Sequence, residues 1–196
     1  GLGQTPASWE SVLRVLGQES GGLCPDLFGL IRGKEVCYEN LYQAFSRYCG
    51  ALPAPLTLCG LSLGGVLALQ YGIEHSDRVG ALVLIGTQFV MPKGLLRLQN
   101  AMFRLMPGSM FSASGLSKAD TMRLSRSMMA LDFRGCLARL RCPVLAVCGT
   151  GDHANQKAAR QLCRLVPQGE LALIPGAGHV VHKTWIKIIN CKNESF

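Results

Sequence analysis

The sequence predicts an α/β fold, a mostly parallel sheet of about five strands flanked by helices and interrupted by a helical insertion. Three observations carry that expectation. Short apolar runs alternate with longer amphipathic stretches, as repeated strand–helix units do. The runs show little period-two alternation, which suits strands covered on both faces. Residues 89–135 then break the rhythm with two helical segments and no strand between them.

Each element has its own local justification. Residues 8–16 set Trp9, Val12, Leu13 and Leu16 on one helical stripe. Gly21-Gly22-Leu23-Cys24-Pro25 reads as a short strand stopped by proline. Residues 39–48 form a helix whose apolar face is Leu41, Ala44, Phe45 and Tyr48. Residues 56–59 are a short buried strand, 64–74 a helix rich in Leu and Ala, and 79–85 a second buried strand. In the insertion, residues 94–106 place Arg97, Asn100 and Arg104 on one stripe. Ser117 is set to cap a second helix through its hydroxyl, with Asp120 in the first turn, near the positive helix end. The rhythm resumes with a strand at 144–148, a helix at 155–165 and a strand at 171–174. Residues 185–196 fit no single element. The expected organisation is therefore 1–88 as the first part of the core, 89–135 as a cap or lid, and 136–196 as the second part of the core.

Composition narrows the class. The 196 residues suffice for one domain, and 48% hydrophobic against 16% charged excludes a disordered chain. No apolar run reaches the roughly 18 residues that a membrane-spanning helix needs. The start, Gly1-Leu2-Gly3-Gln4-Thr5-Pro6, has neither the basic end nor the apolar run of a signal peptide. It also lacks an initiator methionine, which points to a chain processed or cut from something longer. The nine cysteines form no C-x-x-C pair, and several, such as Cys59 and Cys148, sit in apolar runs. They read as reduced thiols of a cytoplasmic protein, and no ligand spacing supports a metal. The net charge of +8 is concentrated: residues 88–141 hold nine Lys or Arg against Asp120 and Asp132. No basic stretch is interleaved with stacking aromatics, so nucleic acid is not an expected partner. A solvated basic face, or one turned toward an anionic substrate or surface, is the expectation.

The chemistry centres on Leu58-Cys59-Gly60-Leu61-Ser62-Leu63-Gly64-Gly65. This is G-x-S-x-G with an apolar strand before it and a helix after it, the context in which a sharp turn presents a nucleophilic serine. Glycine at the flanking positions removes side chains that would clash in so tight a turn. A serine hydroxyl needs a base to take its proton. His179, on the loop Pro175-Gly176-Ala177-Gly178 after the last clear strand, is the best placed of the four histidines. His75 ends the helix after the elbow, His153 neighbours the acid, and His182 follows three residues after His179. The acid that would orient His179 is Asp152, just past the preceding strand, and Asp132 is the weaker rival. Helix N-capping is the competing role for Asp152. The chain order Ser62, Asp152, His179 is that of α/β hydrolases.

These residues resemble the α/β-hydrolase family, especially its small bacterial members with a helical cap. The likeness starts at Gly1-Leu2-Gly3-Gln4, which resembles the tail of the family's oxyanion loop, and runs through Trp9, the elbow, Arg78-Val79 and Cys142-Pro143-Val144-Leu145 to Gly178-His179. It implies a mostly parallel sheet that lacks its N-terminal strands, and an oxyanion hole from the Leu2 and Leu63 amides. The Leu63 assignment also follows from the elbow, whose helix N-terminus favours negative charge. The activity implied is hydrolysis of a carboxylic ester or thioester of small-molecule size, with no cofactor. Acyl transfer and peptide cleavage would use the same triad, and a non-catalytic binding protein could share the fold. Both ends read as cut or altered. A strand missing beside residues 56–59 would leave an unpaired edge, so the isolated chain is expected to aggregate and to be weakly active. All seven methionines fall in the insertion, and their adaptable side chains are expected either to face the acyl pocket or to pack the cap's own core.

Overall fold

A computed structural model describes residues 1–16, 21–108, 111 and 115–181. After a 3-10 turn over Pro6–Trp9 the elements run α1 (Glu10–Leu16), α2 (Tyr38–Gly50), β1 (Leu56–Leu61), α3 (Leu63–Glu74) and β2 (Val79–Ile85). Two helices of the insertion follow, α4 (Lys93–Leu105) and α5 (Lys118–Met128), and then β3 (Val144–Gly149), α6 (His153–Leu165) and β4 (Gly169–Ile174). The four strands lie in the order β1-β2-β3-β4, every neighbouring pair parallel. Chain order and spatial order coincide, so each crossover steps one strand in the same direction.

Alternation along the strands divides the core in two. Leu82 and Leu84 of β2, with Val144, Ala146 and Cys148 of β3, enter the larger cluster. That cluster also holds Leu67 of α3, Leu41 of α2 and Leu162 of α6, so these helices cover the same face. Leu61, Ile85, Val147 and Ile174 point the other way, into a smaller cluster with Trp9, Ala177 and Val181. On that side Thr57 and Cys59 of β1 are exposed. Cys59 therefore does not sit in a strand buried on both faces: β1 is a terminal strand of the sheet among the described residues, and its outer residues lack a covering layer.

Most expected elements form within two residues of their predicted limits, with three corrections. Residues 21–26 adopt no regular structure, so the strand expected around Leu23-Cys24 is absent and the described sheet has four strands, not five. Two adjacent glycines and a proline leave that segment little to contribute to a ladder. Of the eight described cysteines, all free, only Cys49, Cys142 and Cys148 are buried. Finally, the polar stripe expected on α4 is split: Arg97 and Arg104 are exposed but Asn100 is not. Leu95, Leu98, Met102 and Leu105 are exposed, Met102 by 56%, whereas Asn100 is buried. Residues 185–196, His182 and Met110 lie outside the described residues.

The insertion is tied at its root. Val90 and Asp132 form an antiparallel bridge, the Met91 amide donates to the Leu131 carbonyl at 3.1 Å, and the Phe133 amide donates to the Phe89 carbonyl at 2.9 Å. Ser117 caps α5 as expected, accepting from the Asp120 amide at 3.0 Å. No helix among the described residues is long and apolar enough to cross a membrane.

Candidate active site

The carboxyl ends of the strands converge on one edge. The Ser62 amide donates to the Ile85 carbonyl at 2.8 Å, and the Gly86 amide to the Val147 carbonyl at 2.9 Å, which brings the exits of β1, β2 and β3 side by side. Ser62 has φ 52° and ψ −115°, and it is the only non-glycine residue with positive φ among the described residues. That conformation costs on the order of 1–3 kcal/mol and is the mark of a tightly held turn.

Two glycines make the turn sterically feasible, and only one is the expected kind. A Cβ on Gly60 would lie 2.4 Å from the Gly64 carbonyl carbon and oxygen and 2.5 Å from the Gly65 nitrogen. A Cβ on Gly65 would lie 1.9 Å from Thr87 Oγ1 and 3.0 Å from the Gly60 carbonyl oxygen. A Cβ on Gly64 would meet nothing within 4 Å. The second flanking glycine of the pentad is thus not required by packing, whereas Gly65, one position later, is.

Leu63 opens α3, and the Val66 amide makes the first turn bond, to the Ser62 carbonyl at 3.0 Å. The Leu63 amide therefore has no acceptor within the helix. Residues 1–4 form a turn closed by the Gln4 amide on the Gly1 carbonyl at 3.1 Å, with Gly3 at φ 78°. A Cβ on Gly1 would lie 3.4 Å from the Leu61 carbonyl oxygen, so the turn carrying Leu2 abuts the strand end that carries Ser62.

Asp152 and His179 meet directly: His179 Nδ1 lies 2.7 Å from Asp152 Oδ2. Asp152 occupies the N-cap position of α6, yet its side chain makes no capping bond. It is buried, and its carboxylate is committed to His179 and to Asn155 instead. The His179 loop is held by backbone contact. The Gly151 amide donates to the Ala177 carbonyl at 2.9 Å, and the Gly176 amide to Thr150 Oγ1 at 2.9 Å. A side chain at Gly149 would collide with the Ala177 and Gly178 carbonyls at 2.2 and 2.4 Å. The imidazole covers Gly86, where a Cβ would lie 2.9 Å from Nδ1 and Cε1, and Gly86 itself adopts φ 52°.

The sequence-derived set thus assembles at one edge, with one link open. Ser62 sits against Ile85 and His179 against the adjacent Gly86, but the Ser62 hydroxyl makes no hydrogen bond to His179 among the described residues. Such bonds are often long before substrate binds. Asp132 is paired elsewhere: Arg134 Nε and Nη2 hold it at 3.0 and 2.5 Å, and that side chain holds its carboxyl down at about 2. His75 lies at the other end of α3, its ring 4.4 Å from that of Tyr71.

Sequence reasoning missed Asn155 and Gln88. Asn155 Nδ2 donates to both Asp152 oxygens at 2.9 Å. Gln88 Nε2 donates to Asn155 Oδ1 at 2.7 Å and to the Ala154 carbonyl at 3.1 Å. The signal available was an Asn three residues after the acid, the N-cap to N3 spacing at which helix-start side chains meet.

Parallel strands that bring a strained serine turn and a histidine–carboxylate pair to one edge define a hydrolase-type α/β architecture. Comparison with known proteins places the chain more closely. The model of the alpha/beta hydrolase family matches residues 1–186. The chain belongs to that family and is a hydrolase-fold enzyme by that membership. It is 32% identical to the polyketide synthase ThaQ of Burkholderia thailandensis over 74% of its own length, and spans only 8% of that synthase. It is 25% identical to RutD of Yersinia enterocolitica, named as a carbamate hydrolase, over 94% of this chain and 80% of that one. Among solved structures, the enol-lactonase of Burkholderia xenovorans LB400 superposes with a TM-score of 0.73 at 16% identity, covering 96% of this chain and 86% of that one. At that identity the likeness is one of fold.

Proposed function

We propose that the chain is a serine hydrolase acting on a carboxylic ester or thioester of a small molecule. The observation that carries this reading is the 2.7 Å Asp152–His179 pair lying over Gly86, beside the elbow that holds Ser62 at φ 52°.

The chemistry follows from the donor and acceptor roles. An ionised Asp152 can only accept, so His179 carries its proton on Nδ1 and leaves Nε2 as the base. Nε2 takes the Ser62 proton as Oγ attacks the acyl carbon. The carbonyl electron pair moves onto oxygen, where the Leu63 and Leu2 amides receive the charge. Collapse expels the alcohol or thiol, which takes the proton from Nε2 and leaves an acyl-Ser62 ester. Water, deprotonated by the same nitrogen, releases the acid and restores the hydroxyl. Residues 89–135 act as a cap over this edge, rooted by the Val90–Asp132 bridge.

Hydrolysis of p-nitrophenyl acetate by the full chain tests the assignment. Ser62→Ala and His179→Ala are each expected to lower kcat by several orders of magnitude with the fold retained, because triad members act as a unit. Folded variants that keep wild-type turnover would defeat it.

A further inference from the structure

The Asp152–His179 pair is not held by its own contact alone. Both oxygens of a buried carboxylate are engaged, Oδ2 by His179 Nδ1 and the pair together by the Asn155 amide nitrogen. We infer that Asn155 is a positioning residue for the base, and that Gln88, at the root of the insertion, sets its orientation. This inference rests on the reading of His179 as the base and adds how its partner is fixed.

The orientation of each amide can be deduced from one backbone group. The Ala154 carbonyl can only accept, so Gln88 turns its Nε2 toward it, at 3.1 Å. The same Nε2 lies 2.7 Å from the Asn155 side chain, which must therefore present Oδ1. Asn155 Nδ2 is left facing Asp152, 2.9 Å from each oxygen. A chain of donors thus runs from Gln88 through Asn155 to the carboxylate that His179 engages. It fixes the plane of the carboxylate that His179 meets.

Asn155 also opposes charge on the imidazole. Its Nδ2 lies 3.2 Å from His179 Nδ1, and both nitrogens carry hydrogens directed at Asp152. Removing the amide withdraws a positive dipole end from beside the ring and leaves the carboxylate's field on His179 undiluted. Both changes favour the imidazolium, so the variant's His179 should titrate at higher pH. Other titratable groups nearby do not confuse the readout. Burial, with the Asp152 carboxylate adding to it, pushes the Cys148 thiol up to about 11. His153 is exposed at the start of α6 and is resolved separately by its own resonance.

The test is a histidine-resolved NMR titration of the full chain with Asn155→Ala, Asn155→Asp, Gln88→Ala and the Asn155→Ala, Gln88→Ala double variant, with melting curves confirming the fold. Asn155→Asp keeps the side-chain volume and replaces a donor with an acceptor. Gln88→Ala removes the donor to Asn155 Oδ1. The His179 midpoint is expected to rise in Asn155→Ala and to rise further in Asn155→Asp, which sets a second carboxylate beside the ring. In Asn155→Ala, kcat for p-nitrophenyl acetate should fall about 10-fold or more, with KM changed less than about 3-fold, the signature of lost positioning. Gln88→Ala should move the midpoint in wild type and not in the Asn155→Ala background, since Gln88 acts only through Asn155. An unmoved His179 midpoint in both folded Asn155 variants overturns the inference, as does full additivity with Gln88→Ala. A separate arm isolates the underlying reading: if the midpoint moves as expected but His179→Ala leaves ester turnover intact, the positioning stands and the assignment of His179 as base fails.

Discussion

The elbow glycines permit a test in which one motif predicts two opposite outcomes. The pentad Gly60-Leu61-Ser62-Leu63-Gly64 suggests that Gly60 and Gly64 are equivalent, but the surroundings differ. A Cβ at Gly60 would press on three backbone atoms of Gly64 and Gly65 at 2.4–2.5 Å. Each must retreat by about 1 Å to reach ordinary contact, and backbone at the start of a helix has no rotamer through which to yield. Gly60→Ala should therefore cost about 3 kcal/mol, the upper part of the overpacking range. For a chain of this length that lowers Tm by about 6–12 °C. Gly64→Ala meets open space inside the first turn of α3 and should gain about 0.5–1 kcal/mol from reduced chain entropy. Gly65→Ala collides mainly with the Thr87 side chain, so Thr87→Ala should recover part of its cost while giving Gly60→Ala no relief. Urea unfolding of the three variants and the double mutants in the full chain measures this. Gly60→Ala within about 0.5 kcal/mol of wild type, or Gly64→Ala as damaging as Gly60→Ala, would refute the reasoning.

Three further outcomes follow from the same geometry. Ser62→Gly should abolish ester turnover while raising stability by about 1 kcal/mol, because it releases the φ 52° strain, whereas Ser62→Ala abolishes turnover without that gain; paired denaturation and kinetic curves decide it. Asp152→Asn should lower kcat by about 10⁴-fold through the wrong imidazole tautomer, and Asp132→Asn, at the exposed Arg134 pair, should leave kcat unchanged. Met102→Ala, at 56% exposure, should alter stability by less than about 0.5 kcal/mol, while Met91→Ala, at 5% exposure, should cost about 2–5 kcal/mol in thermal or urea unfolding.

What was legible in the sequence was whatever depends on local order along the chain. The βα rhythm placed β2 at its observed limits, because the apolar run from Ala81 to Ile85 has no alternation and suits a short strand covered on both faces. Ser62, Asp152 and His179 could be read because each follows a strand, and parallel crossovers deliver strand ends to one edge. What escaped depends on neighbours distant in sequence. Gly65 matters because of Thr87, and Gln88 bonds Asn155 across 67 positions. Cys59 looked buried because its run is apolar, but exposure depends on what covers the strand, and apolar composition does not encode that.

The central claim is that Ser62 is the nucleophile, and the most direct measurement is mass spectrometry of the folded full chain after reaction with a fluorophosphonate probe. One phosphonyl adduct is expected, on the peptide containing Ser62, formed far more slowly when His179 is replaced by Ala. An adduct on another residue, or none on a folded chain, would contradict it.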